Sequence, residues 1–304
     1  DVAPSRGLGD VYKRQPLMYL FEDKNGKKQV VDGRQRISAI LDFLEGKFKL
    51  NNLRILKQFN GCCFADLDSK QQGVIEDFQL LFYIIQPPTP ERVKYDIFDR
   101  VNRGGTPLNK QEMRNALYRG RCTRMLDKLC CSPEFLIATG RSINKERMKD
   151  QYVVLRAMAF LMLHRGEFKD IPALQYRGDI DDFLARFMVY VNDNAPEKLI
   201  VDYENLFIRC MQISYDLLGE NGFRFSGNGI RRPINMPLFE ALSYLFSFVP
   251  EKIDYTWVSR LILDIESVKE EFDDSRYFSG NIDSTTSVSF RFDRMDKIIN
   301  RIQL

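Results

Sequence analysis

From Met148 onward, apolar residues recur at helical spacing in one segment after another: 148–163, 180–191, 203–218, 237–248, 255–272 and 292–302. Only a helix gathers residues spaced three and four apart onto one face, so the larger part of this chain must pack helix on helix. No internal repeat is present, which argues against a solenoid. The first hundred or so residues follow a different pattern. The run 17–21 reads as a strand, Asp23-Lys24-Asn25-Gly26 as a hairpin turn, and Gln29-Val30-Val31 as the returning strand. Ile37, Ile40, Leu41 and Leu44 then fall at helical spacing, with Gly46 as the stop, and a further helix is expected over 69–77. The run 80–85 is apolar on both faces, the pattern of a central buried strand. After Pro87-Pro88-Thr89-Pro90, a helix from Glu91 carries Val93, Ile97, Phe98 and Val101 inward, and another opens at Asn109. The expected fold class is α+β: a small mixed α/β unit over 16–120, followed by a helical region over 121–304.

Composition excludes several chemistries. The chain holds one histidine, His164, so a multi-histidine zinc hydrolase, an HNH nuclease and an HExxH protease are all out of reach. His164 ends a helix and has no partner cluster in sequence, which reads as a cation facing the helix dipole. The six cysteines form no CxxC pair, and Cys62-Cys63 and Cys130-Cys131 are adjacent, a strained geometry for bridging. They are expected to be reduced thiols in a cytoplasmic protein, without a membrane partner. Lys and Arg number 45 against 42 Asp and Glu, which leaves +3 and decides nothing about a polyanionic partner. Local balance is more informative: residues 91–124 hold nine basic and four acidic residues, and 251–283 hold four and nine. Arg141, Lys145, Arg147, Lys149 and Arg231-Arg232 are candidate DNA-phosphate contacts, with solvated surface as the plainer reading.

Residues 1–15 have no strand or helix period. Asp10-Val11-Tyr12-Lys13-Arg14-Gln15 resembles the translation of a transposase adapter end used in sequencing-library preparation, with Ala3–Gly9 the run that often accompanies it. Native sequence is accordingly expected from Pro16, with the true N-terminus missing.

The chemistry-bearing motif is Val30-Val31-Asp32-Gly33-Arg34-Gln35-Arg36-Ile37, where a strand hands over to a helix. Free backbone N–H groups and the positive end of the helix dipole converge at such a junction. Gly33 allows close approach, Arg34 and Arg36 offer forked donors to phosphate, and Asp32 can hold Mg²⁺ or orient a water. A second reading stays open: Asp32 is also a good N-cap, with Gln35 at capping-box spacing. Asn102 similarly reads as a C-cap before Gly104-Gly105 or as pocket lining, and Glu112 as a capping-box partner of Asn109.

The ordered set Val31-Asp32-Gly33-Arg34-Gln35-Arg36-Ile37, then Phe98-Asp99-Arg100-Val101-Asn102-Arg103-Gly104-Gly105-Thr106-Pro107-Leu108, then Gln111-Glu112-Met113-Arg114-Asn115-Ala116-Leu117, resembles the N-terminal domain family of GmrSD-type restriction endonucleases. That family is related to the ParB and sulfiredoxin superfamily. The resemblance implies a nucleoside-triphosphate-binding and hydrolysing domain, with Mg²⁺ expected beside the nucleotide, in prokaryotic defence against foreign or modified DNA. The family's Asp-Gly-Gln-Gln-Arg signature falls on Asp32, Gly33, Arg34, Gln35 and Arg36, with Arg34 in place of the usual glutamine. Its Asn-x-Gly-Gly-x-x-Leu segment falls on Asn102, Gly104, Gly105 and Leu108. By this resemblance Asp32, Gln35 and Arg36 are the catalytic set, Gly33, Arg34, Arg36, Asn102, Arg103 and Gly104 bind phosphates, and Asp32 is the metal ligand. The family's first strand, with its Gln-Arg pair, and first helix do not precede Pro16. The nuclease centre is expected on a separate domain or subunit, so this chain alone is not expected to cut DNA. The alternative function is a DNA-binding or sensor module that uses nucleotide as a switch without turnover.

Overall fold

The computed structural model describes residues 17–22, 26–86, 89, 93, 97, 108–226, 231–250 and 255–302, with backbone only at Tyr255, Thr256, Arg276 and Ile302. The segment 1–15, turn residues Asp23, Lys24 and Asn25, and the loop residues Pro87, Pro88 and Pro90 lie outside the described residues. So does the helix from Glu91, apart from Val93 and Ile97, both of which are helical. The chain divides into two compact units, Asp1–Pro107 and Leu108–Leu304.

The first unit is built on a three-stranded sheet. β1 (Met18–Glu22) is central, β2 (Lys28–Asp32) pairs antiparallel on one flank and β3 (Phe82–Ile85) parallel on the other. Leu20 faces Val30 across the hairpin, and the register shifts between Tyr19 and Leu20, a bulge that sets Tyr19 opposite Asp32. Tyr19 also faces Tyr83, their rings stacked 5.7 Å apart. α1 (Arg34–Leu44) follows β2, and α2 (Ser69–Glu76) is opened by a capping box between Asp68 and Gln71. Met18 and Phe43 are the buried centre, Phe43 meeting Phe48 at 5.5 Å and Phe64 at 6.0 Å.

Two expectations fail here. The 80–85 run is not a central buried strand: β3 is an edge strand, with Leu81, Tyr83 and Ile84 exposed. β1 takes the central place because both neighbours pair with it, so an apolar run need not mean burial on two faces. In α1, Leu41 is 52% exposed and Phe43 is buried. The inward face passes through Ile40, Phe43 and Leu44, which carries Arg36 with it, seven residues before Phe43.

Among the described residues the regular structure of the second unit is helical: α3 (Lys110–Leu117), α4 (Arg121–Cys130), α5 (Pro133–Ala138), α6 (Lys149–His164), α7 (Ile180–Asp193), α8 (Glu197–Leu218), α9 (Met236–Phe246), α10 (Tyr255–Asp273) and α11 (Thr285–Ile302). The chain as a whole is therefore α+β and rich in helix. Each of the six helices expected from Met148 onward is present, as is the one expected to open at Asn109. α8 starts six residues before Tyr203, taking in the polar Glu197 and Lys198 and the buried Ile200, and α11 starts seven before Phe292, where Ser284, whose Oγ accepts from the Ser287 N–H at 3.1 Å, caps its polar first turn. α6 and α9 are apolar all round and form the core, Val153–Met162 and Pro237–Phe246 being buried. Among the described residues no helix is long and apolar enough to cross a membrane.

Charge is buried inside that core. Glu240 accepts from Arg156 Nε and from Arg291 Nη2 at 2.7 Å, all three side chains being at most 1% exposed. Arg156 also reaches Asp283 at 2.6 Å. Burial works against the charge on Arg156, but Glu240 and Asp283 outweigh it and raise its pKa well above the ordinary value; burial lowers that of Arg291. His164 does not complement the helix dipole as expected. Its ring stacks on Phe292 at 3.6 Å, and burial, helped by Arg291, lowers its pKa to about 3, so it is neutral at pH 7. All six cysteines are free thiols; Cys122, Cys130 and Cys210 are buried, and burial raises the Cys210 thiol to about 12.

Candidate nucleotide corner

The candidate site is the corner between β2 and α1. β2 ends at Asp32, and Gly33 turns the chain with φ 94° and ψ 7°, in the left-handed region that favours glycine. Space demands it too: a Cβ here would sit 2.6 Å from Cγ of Met18, which is fully buried. Gly33 is thus the N-cap of α1, and it offers no side-chain cap, so Asp32 and Gln35 do not form the capping box that their spacing allowed. The first intrahelical bond runs from the Ile37 N–H to the Gly33 carbonyl at 2.8 Å. No acidic residue stands in the first turn. The result is a helix N-terminus whose dipole is met by no side-chain oxygen of its own.

Asp32 is engaged elsewhere. Its Oδ2 accepts from Arg36 Nη2 at 2.5 Å, and the same Nη2 reaches the Leu17 carbonyl at 3.4 Å. Both side chains are about a third exposed or less, at 27% and 32%. Arg34 and Gln35 are exposed on the first turn. Asp32, Gly33 and Arg36 are therefore brought together, while Arg34 and Gln35 stand beside them facing solvent. Asn102, Arg103 and Gly104 lie outside the described residues. Among the described residues, no group of three or more His, Cys, Asp or Glu could hold a metal ion. Asp32 offers one oxygen beside its bond to Arg36, a donor set that suits an ion carried largely by phosphate oxygens.

Residues 9–119 match the family model of the GmrSD restriction endonuclease, N-terminal domain. This segment is a GmrSD-type N-terminal domain. The match contains the β2–α1 corner and α3, and it begins within residues 1–15. A GmrSD N-terminal domain puts the chain in the setting of restriction systems. No curated protein and no solved structure gave a significant match to this chain.

Asn109, Glu112 and Arg147 have structural partners. Asn109 caps α3, its Oδ1 accepting from the Gln111 and Glu112 N–H groups at 2.8 and 2.9 Å. Glu112 completes the box and accepts from Arg147 at 2.9 Å. Burial raises the Glu112 carboxyl, but Arg147 and the Asn109 N–H outweigh it and hold it below the ordinary range. Arg147 and Lys149 line a cleft of about 510 Å³ with Lys110, Arg114 and Tyr152. Arg114, fully buried, pairs with Asp181 at 2.8 Å, and Lys110 shares the same carboxylate. The sequence reading missed the Arg156–Glu240–Arg291 cluster. Its signal was partly visible, since Arg156 and Glu240 are each a charge set in an otherwise apolar helical run, whereas Arg291 lies among other charges.

Proposed function

We propose that the β2–α1 corner binds the phosphates of a nucleoside triphosphate, with Mg²⁺, and that the chain hydrolyses it as a component of a prokaryotic restriction or phage-defence system. The observation that carries this reading is the uncapped helix N-terminus behind Gly33, with the Arg34 guanidinium exposed on its first turn. Backbone N–H groups, helix dipole and a free fork then act on one anion. Arg34 grips phosphate oxygens. Arg36, held in place by Asp32, neutralises charge that develops on the transferred group. Gln35 orients the attacking water, and the remaining Asp32 oxygen would hold either that water or Mg²⁺, which would supply charge stabilisation when bound. A separate nuclease domain or subunit would act on DNA.

The Asp32–Arg36 bond favours a second reading. A phosphate that competes with Asp32 for Arg36 would convert binding into a rearrangement of the corner, as a sensor requires, without turnover. Release of inorganic phosphate from ATP or GTP by the full chain separates the two. Steady release that disappears in Arg36→Ala supports hydrolysis. Saturable binding with no release supports the switch, and no binding at all contradicts both.

A further inference from the structure

A second cleft of the helical unit, of about 620 Å³, is lined by Arg224, Arg231, Arg232 and Lys269, with Glu220 and Glu266 the carboxylates among the described lining residues. The cations differ in how they are held. Arg231 pairs with Glu220 at 2.8 Å, Lys269 with Glu266 at 2.9 Å, and Arg232 with Asp273 beyond the lining. Arg224 has no such partner. It is 4% exposed, and its bonds go to neutral acceptors: the carbonyls of Glu220, Arg232 and Thr139, and the Ser142 hydroxyl. No carboxylate lies within ion-pair distance of it among the described residues.

A guanidinium taken out of water without a counter-charge is strongly unfavourable, so a structure that keeps one beside an open cleft is built for an anion that arrives there. Burial and the neighbouring Arg231 push the Arg224 pKa down, and the Glu220 carboxylate, itself paired with Arg231, offsets them only in part. The arms of Arg231 and Arg232 are 44% and 40% exposed, and exposed ion pairs hold their partners weakly, so both can turn to a ligand. The Arg232 guanidinium lies over the Phe225 ring, 5.4 Å from its centre, a contact that keeps this arm at the cleft wall. Planar forks with several donors suit the tetrahedral oxygens of phosphate.

We propose that this cleft is a phosphate-binding site, distinct from the β2–α1 corner, for a phosphate group that is either free or part of a nucleic-acid backbone. The test uses the full chain at low ionic strength with two probes: inorganic phosphate followed by calorimetry, and a short fluorescein-labelled DNA duplex followed by anisotropy. Arg231→Glu and Arg232→Gln each weaken binding about tenfold while the melting temperature stays within experimental error. Lys198→Gln, an exposed cation in the first turn of α8, at the opposite end of that helix from Leu218 in the cleft, leaves binding unchanged. Duplex binding that phosphate displaces supports the backbone source, and phosphate binding without duplex binding supports the free group. Binding of neither probe overturns the proposal, as does equal affinity in wild type, Arg231→Glu and Arg232→Gln.

Discussion

Arg36 reaches back one helical turn to Asp32, Nη2 to Oδ2 at 2.5 Å, and so ties the first turn of α1 to the last residue of β2. A pair this exposed contributes about 1 kcal/mol or less to stability. Its meaning is positional: Asp32 aims Arg36, and it also competes with any phosphate for that guanidinium. Asp32→Asn should therefore keep or strengthen nucleotide binding while phosphate release falls by about a hundredfold or more. Binding isotherms and a phosphate-release assay on the same sample check this. Lost affinity with intact turnover would contradict it.

Gly33 has no substitute. Gly33→Ala meets both the left-handed backbone penalty of about 1–2 kcal/mol and the Met18 side chain. Gly46→Ala, at φ 70° with open space around it, carries the first cost alone. Thermal unfolding should place Gly33→Ala clearly below Gly46→Ala, and equal melting temperatures would count against a tight corner.

The buried charges predict an asymmetry. Glu240→Leu takes the carboxylate from Arg291, leaves Arg156 with Asp283 alone, and should cost about 3–5 kcal/mol. Replacing all three with apolar residues of similar volume should cost far less, since the one charge that loses its partner, Asp283, is 27% exposed. Urea unfolding midpoints for the single and triple variants measure the difference.

His164 supplies a pH dependence in the near-neutral range. Its pKa is about 3 folded and 6.5 as an unperturbed group, so below pH 6.5 the unfolded chain takes up a proton that the folded one refuses. Stability is then highest above pH 6.5 and falls as pH drops from 6.5 toward 3, by about 1 kcal/mol between pH 7 and 5.5. His164→Leu should flatten that interval. Identical slopes in wild type and variant would show that the ring is not held neutral.

Much of this was legible in the residues themselves. The hairpin, the Gly33 turn, the Asn109–Glu112 box and all six expected C-terminal helices follow from local spacing, which the backbone obeys within a turn or two. What was not legible depends on tertiary partners. The 80–85 run looked buried because apolar residues cannot report which strand neighbours will arrive. Asp32 looked like a cap because spacing cannot tell a carboxylate that turns to its own helix from one held by Arg36. His164 looked like a cation because the burial that makes it neutral, under Phe292 and Tyr244, and the added push of Arg291 come from residues distant in sequence.

The central claim is that the β2–α1 corner holds triphosphate through its backbone and its arginines. Equilibrium titration of a fluorescent nucleoside triphosphate with Mg²⁺ into the full chain tests it most directly. Saturable binding by wild type that weakens about tenfold or more in the double variant Arg34→Ala and Arg36→Ala, at unchanged melting temperature, is the predicted result. Equal affinity in the double variant, or no binding by wild type, would contradict it.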